Sequence, residues 1–167
     1  MHHRLVVAGE GRFAVTLEAT STDGQGISCF LYGGTLPHVG GCALAAPGPK
    51  LHGRQLSRAD LWTMTVPGHK DAEAAKTVAR RLAIVTGQPA CVSCGIHVDD
   101  AMPEELERLG HSIDAAVDGL LEELGFDGSQ VNRRRVRDRG FGQLFAGVAT
   151  GATLVVRDIR VDEEAHR

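Results

Sequence analysis

The side chains best suited to chemistry fall in two short polar clusters, Gly68-His69-Lys70-Asp71 and Gly95-Ile96-His97-Val98-Asp99-Asp100. His97, Asp99 and Asp100 bring an imidazole and two carboxylates close together in sequence, and His69 adds a second imidazole. Imidazole with carboxylate suits Zn, Mn, Fe or Ni, so His69, His97, Asp99 and Asp100 are the expected metal ligands. A divalent cation held there would bridge to a phosphate or to an oxygen-rich ligand. The plainer alternative is that Asp99 or Asp100 caps the helix that follows, while His97 only hydrogen-bonds to backbone.

Lys70 stands out in a chain with few lysines and many arginines. Beside His69 at a helix start it suits a phosphate contact, against the alternative of an ordinary solvated side chain. His38 lies between Gly33-Gly34-Thr35-Leu36-Pro37 and Val39-Gly40-Gly41, where little side-chain bulk keeps a ligand away; a hairpin turn with an exposed histidine is the competing reading. Nucleophilic and NTPase signatures are missing: there is no Gly-x-Ser-x-Gly, no His-Glu-x-x-His and no Gly-x-x-x-x-Gly-Lys-Ser/Thr. Cys91-Val92-Ser93-Cys94 has the spacing of a zinc or redox pair, but it sits in an alternating strand pattern. Residues three apart on a strand point to opposite faces, so the cysteines read as small buried thiols in a reducing compartment.

These groups must be positioned by the elements around them. Arg4 to Gly9, Phe13 to Thr20, Gly26 to Tyr32 and His38 to Ala45 read as an antiparallel meander broken by Gly-rich turns. A Pro/Gly-rich loop over Ala46 to Gly53 leads to a strand around Leu61 to Val66. Apolar residues at Ala75, Val78, Ala79, Leu82 and Val85 predict a helix over Asp71 to Thr86, with Asp71 as N-cap and Gly87 as stop. The strand Ala90 to Val98 follows. Leu106, Leu109, Ile113, Val117, Leu120, Leu121 and Leu124 then mark a helix over Pro103 to Leu124. A strand, a crossover helix and a second strand of one sheet, run parallel, end on the same side. Both polar clusters then meet at one carboxyl edge, beside helix amino termini whose free N–H groups favour an anion.

The expected fold class is α+β: an antiparallel meander followed by a β-α-β-α segment, giving one mixed sheet with two main helices packed on it. Residues 1–127 form the binding domain. Residues 128–167 add a basic loop with Arg133, Arg134, Arg135, Arg137 and Arg139, a β-like stretch over Thr153 to Ile159 packed on the same domain, and a mobile charged tail. At 167 residues, 43% apolar and formal charge −3, the chain has a real core and no global attraction to nucleic acid or an anionic membrane. Met1-His2-His3-Arg4 lacks an apolar signal core and no apolar run reaches spanning length, which reads as cytoplasmic.

Leu36-Pro37-His38-Val39-Gly40-Gly41, then Val66-Pro67-Gly68-His69-Lys70-Asp71 opening a helix, then Gly95-Ile96-His97-Val98-Asp99-Asp100 before another, together resemble the LpdD-like family over roughly residues 5 to 125. Its members are regarded as chaperones for prenylated flavin, the cofactor of UbiD-like decarboxylases. The resemblance implies a carrier that is not an enzyme. It would bind reduced prenylated FMN, or FMN, made by a UbiX-like flavin prenyltransferase, and protect it or deliver it to an apo UbiD-like decarboxylase. On this reading His38, Gly40, Gly41, Gly68, His69, Lys70, Gly95 and His97 are the cofactor-binding residues. A flavin phosphate suits helix N–H groups and Lys70, and with seven aromatic residues in the chain, ring contacts must rest largely on aliphatic or glycine-backed surfaces. Open sheet edges favour a homodimer. The alternatives are a small metal-dependent lyase or hydrolase using His69, His97, Asp99 and Asp100, and a purely structural accessory subunit.

Overall fold

A computed structural model describes residues 1–55, 58–126 and 155–158. The chain begins with strand β1 (His2–Ala8), a single 3-10 turn (Gly11–Phe13), β2 (Val15–Ser21) and β3 (Ile27–Gly34). Next come β4 (Gly41–Pro47), a small hairpin of β5 (Lys50–Leu51) and β6 (Arg54–Gln55), and β7 (Ala59–Thr65). Helix α1 (Asp71–Thr86), β8 (Ala90–His97) and helix α2 (Pro103–Glu123) follow, and β9 (Val155–Asp158) closes the described chain. The fold is α+β, as the patterning predicts.

Seven strands form one mixed sheet in the order β7-β4-β8-β3-β2-β1-β9. Strands β1, β2 and β3 are the expected antiparallel meander, with Leu17 opposite Val6 on one side and Leu31 on the other. The fourth strand does not continue it. β8 inserts between β3 and β4, parallel to the first and antiparallel to the second. The physical reason lies in side-chain pattern: β8 buries Ala90, Val92 and Cys94 completely, and a strand so apolar belongs at the sheet centre, covered by a helix. β7 is antiparallel to β4, and β4 to β8, so β7 and β8 run parallel with one strand between them.

Both helices lie on one face of the sheet. α1 packs on β4, β7 and β8, and α2 on β1 and β2. Ala75, Val78, Ala79 and Leu82 from α1 and Ala116, Val117, Leu120 and Leu121 from α2 meet Val6, Val15, Leu17, Leu31, Ala43 and Val92 in one core. Arg81 of α1 joins the helices by pairing with Asp114 and Asp118 of α2. Leu106, expected on the buried stripe, is 46% exposed, and the buried residues of α2 begin only at Gly110. Gly87 closes α1 in the left-handed conformation (φ 71°), donating its N–H to the Ala83 carbonyl.

Strand β9 pairs with β1, so the β-like stretch expected after residue 128 adds to the same sheet. Arg133, Arg134, Arg135, Arg137, Arg139 and the charged tail lie outside the described residues. Among the described residues no helix is long and apolar enough to cross a membrane.

Candidate functional site

Strands β3, β7 and β8 run in one direction and β4 in the other, so the β3–β4 loop, the β7–α1 loop and the end of β8 all reach the same edge of the sheet. Each delivers a histidine. His38 Nε2 lies 3.0 Å from His69 Nδ1, their ring centroids being 4.7 Å apart, and the His97 ring centroid is 6.2 Å from that of His38. The expected convergence of His69 and His97 on one edge is met, with His38 standing between them.

The carboxylate that joins the first two imidazoles belongs to Asp71. Its Oδ2 is 3.4 Å from both His38 Nε2 and His69 Nδ1, while Oδ1 accepts a 2.8 Å hydrogen bond from the Ile96 N–H. Asp71 is therefore not the N-cap: Lys70 holds that position, and the Asp71 side chain, only 10% exposed, is drawn inward to the end of β8. A carboxylate one residue inside a helix start projects away from the first-turn N–H groups and is free to serve a neighbouring strand.

His38 Nδ1 lies 3.0 Å from the Leu36 carbonyl, which can only accept, so Nδ1 carries the proton and neutral His38 presents a lone pair at Nε2. That lone pair, His69 Nδ1 and Asp71 Oδ2 converge on one point. Among the described residues, the group whose potential ligand atoms all lie within 4.8 Å of one another is His38, His69 and Asp71. Two imidazoles and one carboxylate, with an outer nitrogen fixed by a backbone carbonyl, are the donor set of a divalent cation with open positions. The alternative occupant is a proton shared between the two imidazoles.

His97, Asp99 and Asp100 form a separate arm. His97 Nε2 is 2.9 Å from Asp99 Oδ1, and the Thr35 hydroxyl donates to Asp99 Oδ2 at 3.2 Å and lies 3.2 Å from the His97 carbonyl. These hydrogen bonds, that to His97 first, hold the Asp99 carboxyl below the usual carboxylate range. Neither acid caps α2: the Met102 N–H instead donates to Glu105 Oε2 at 3.0 Å. Arg12 reaches across to bond Glu105 and the Asp99 carbonyl, which lowers the Glu105 carboxyl and raises the Arg12 guanidinium. Asp100 is exposed with left-handed backbone (φ 48°).

Close backbone approach builds the edge. A Cβ on Gly95 would overlap the His38 carbonyl, and one on Gly40 would overlap the Asp71 carboxylate. Gly41 opens β4 against Ala72 of α1, and Gly68 turns the chain at φ 87° with open space around it. Lys70 is exposed at the α1 amino terminus. Around His38 and His69 the surface is apolar, since Leu36, Val39 and Val66 are all large and exposed.

Asp71 as the carboxylate facing His38 and His69, and Thr35 as a brace, escape a reading of the sequence alone. The two-residue spacing from His69 to Asp71 was the available signal for the first; Thr35 carried none. Only half of the expectation of buried thiols is met: Cys29 and Cys94 are buried and pushed up to about 12 by desolvation, whereas Cys42 is half-buried and Cys91 exposed, because alternation puts them on the sheet face that neither helix covers.

The family model for the prenylated flavin chaperone LpdD-like domain matches residues 9–125 of the chain, well over half of it. No curated protein matches.

Proposed function

The chain belongs to the LpdD-like family of prenylated flavin chaperones, and from that premise we propose that it carries reduced prenylated FMN from a UbiX-like prenyltransferase to an apo UbiD-like decarboxylase in the cytoplasm. The observation that supports this reading best is the convergence of His38, His69 and Asp71 at a sheet edge, next to Lys70 at the α1 amino terminus. His38, His69 and Asp71 would hold a divalent cation, which when bound supplies a positive charge for an oxygen-rich ligand. Lys70 and the first N–H groups of α1 suit a phosphate. Leu36, Val39 and Val66 offer aliphatic surface to a flat ring system.

A carrier must release what it holds. An exposed edge suits that task better than a closed cavity, and none of these residues forms an activated nucleophile–base pair. Transfer is therefore an exchange of ligands between two protein surfaces, with no bond made or broken in the flavin.

The test is anaerobic gel filtration of the protein with reduced prenylated FMN, with and without divalent cations, followed by addition of apo-decarboxylase. Flavin should co-elute with the protein in a metal-dependent manner and then appear in the decarboxylase as activity. His69→Ala should lose flavin retention. Failure of the wild-type chain to retain flavin under any metal condition would end this reading, and metal-dependent turnover by the isolated chain would replace it with an enzyme.

A further inference from the structure

Both described helices cover the same face of the sheet, and no other described element packs on the opposite one. On that bare face the register places Leu44 beside Trp62, Cys42 beside Met64, and Phe30 and Tyr32 two strands away across β8. Trp62 is 56% exposed, Met64 72% and Leu44 42%, while the Phe30 and Tyr32 rings stack with centroids 4.8 Å apart. Three adjacent strands put no charge on the middle of this face: β4 contributes Cys42, Leu44 and Ala46, β8 Cys91, Ser93 and Gly95, and β3 Ser28, Phe30 and Tyr32, with His97 following at the far end of β8. Glu18 on β2 and Asp60 on β7 stand only at its two margins.

We propose that this face is covered by a second copy of the chain, sheet against sheet, with Trp62, Met64, Leu44, Phe30 and Tyr32 at the centre of the contact. A two-fold axis brings a surface against itself, and an uncharged centre meets its own copy without like-charge repulsion. Sheets pack face to face about 10 Å apart through apolar side chains, which is what these strands present. Four strands about 4.8 Å apart and about 20 Å long offer roughly 400 Å² in projection per copy. Side-chain relief raises that toward the ~800 Å² per partner of a stable interface. Trp, Tyr and Phe are also residue types enriched at interface centres. The contact is centred on Trp62, Leu44 and Phe30, away from the histidine end of β8, and its test needs neither flavin nor metal.

Trp62 is the sole tryptophan, which makes its fluorescence a direct report on this face. The full chain, without flavin or metal, is diluted from micromolar to low nanomolar concentration while Trp62 emission and acrylamide quenching are recorded and sedimentation gives the mass. A dimer with shielded Trp62 is expected at high concentration. Leu44→Lys and Met64→Lys, both at exposed positions, should weaken association at least about 30-fold, with Trp62 becoming solvent-exposed and the thermal melt of the monomer preserved. Solvent-exposed Trp62 at every concentration would overturn the proposal. So would shielded Trp62 in a monomer, which would assign the cover to residues 127–154 of the same chain, or a dimer unaffected by both substitutions.

Discussion

His38 and His69, thirty-one residues apart in sequence, meet with Nε2 and Nδ1 at 3.0 Å, and the Asp71 carboxylate faces both. Two imidazole nitrogens at that distance require a shared proton or a cation between them. The carboxylate favours positive charge in either case.

Asp71 separates its two roles by oxygen, so two substitutions separate them by experiment. Asp71→Asn retains an acceptor for the Ile96 N–H but removes the charge facing the imidazoles. Its fold should survive, with cation affinity measured by calorimetry reduced about 100-fold or more. Asp71→Ala should show the same binding loss plus about 1–3 kcal/mol of stability in urea, because the Ile96 N–H loses its partner. Equal stability of the two variants would show that the Ile96 bond contributes nothing.

Gly95→Ala should be costly for a steric reason alone. The added Cβ would overlap the His38 carbonyl, and backbone on both sides leaves little freedom to relax. A loss of about 1–3 kcal/mol in denaturant unfolding is expected, together with displacement of His38 seen in histidine NMR shifts. An unperturbed His38 resonance would mean that the loop yields freely.

Lys70→Ala should weaken FMN binding about tenfold while leaving riboflavin binding unchanged, as expected for one charge-assisted phosphate contact. Titration of the apo-protein with each flavin measures the difference. Equal losses would remove Lys70 from phosphate recognition.

Acid should loosen the bracing arm first. Asp99 and Glu105 both titrate below their usual range, through His97 and Thr35 in one case and Arg12 in the other. A carboxyl depressed in the folded state contributes stability above its unfolded pKa and loses it as pH falls through the folded value. The wild-type urea midpoint should therefore fall below about pH 4, and less steeply in Arg12→Gln. Parallel pH profiles for the two proteins would contradict the Arg12–Glu105 contribution.

Local features were legible in the sequence because their causes are local. The apolar spacing over Asp71 to Thr86 and the stop at Gly87 come from helix geometry and a left-handed cap, and the structure reproduces both boundaries. The alternation of Ala90 to Val98 likewise announced a strand, found over Ala90–His97, and placed Cys91 and Cys94 on opposite faces. That His69 and His97 reach one edge also followed from strand direction. The sequence thus determined the two helices and the main strands, the α+β class and the neighbourhood of the site, but not the short β5–β6 hairpin, whose residues read as a Pro/Gly-rich loop. Tertiary structure alone decided that β8 enters between β3 and β4, since register and neighbour choice depend on how all the apolar faces pack at once. That insertion brings the β3–β4 loop over the end of β8, seats His38 against Gly95, and turns Asp71 from an expected cap into the carboxylate of the site. Such contacts join residues distant in the chain, and no local pattern encodes them.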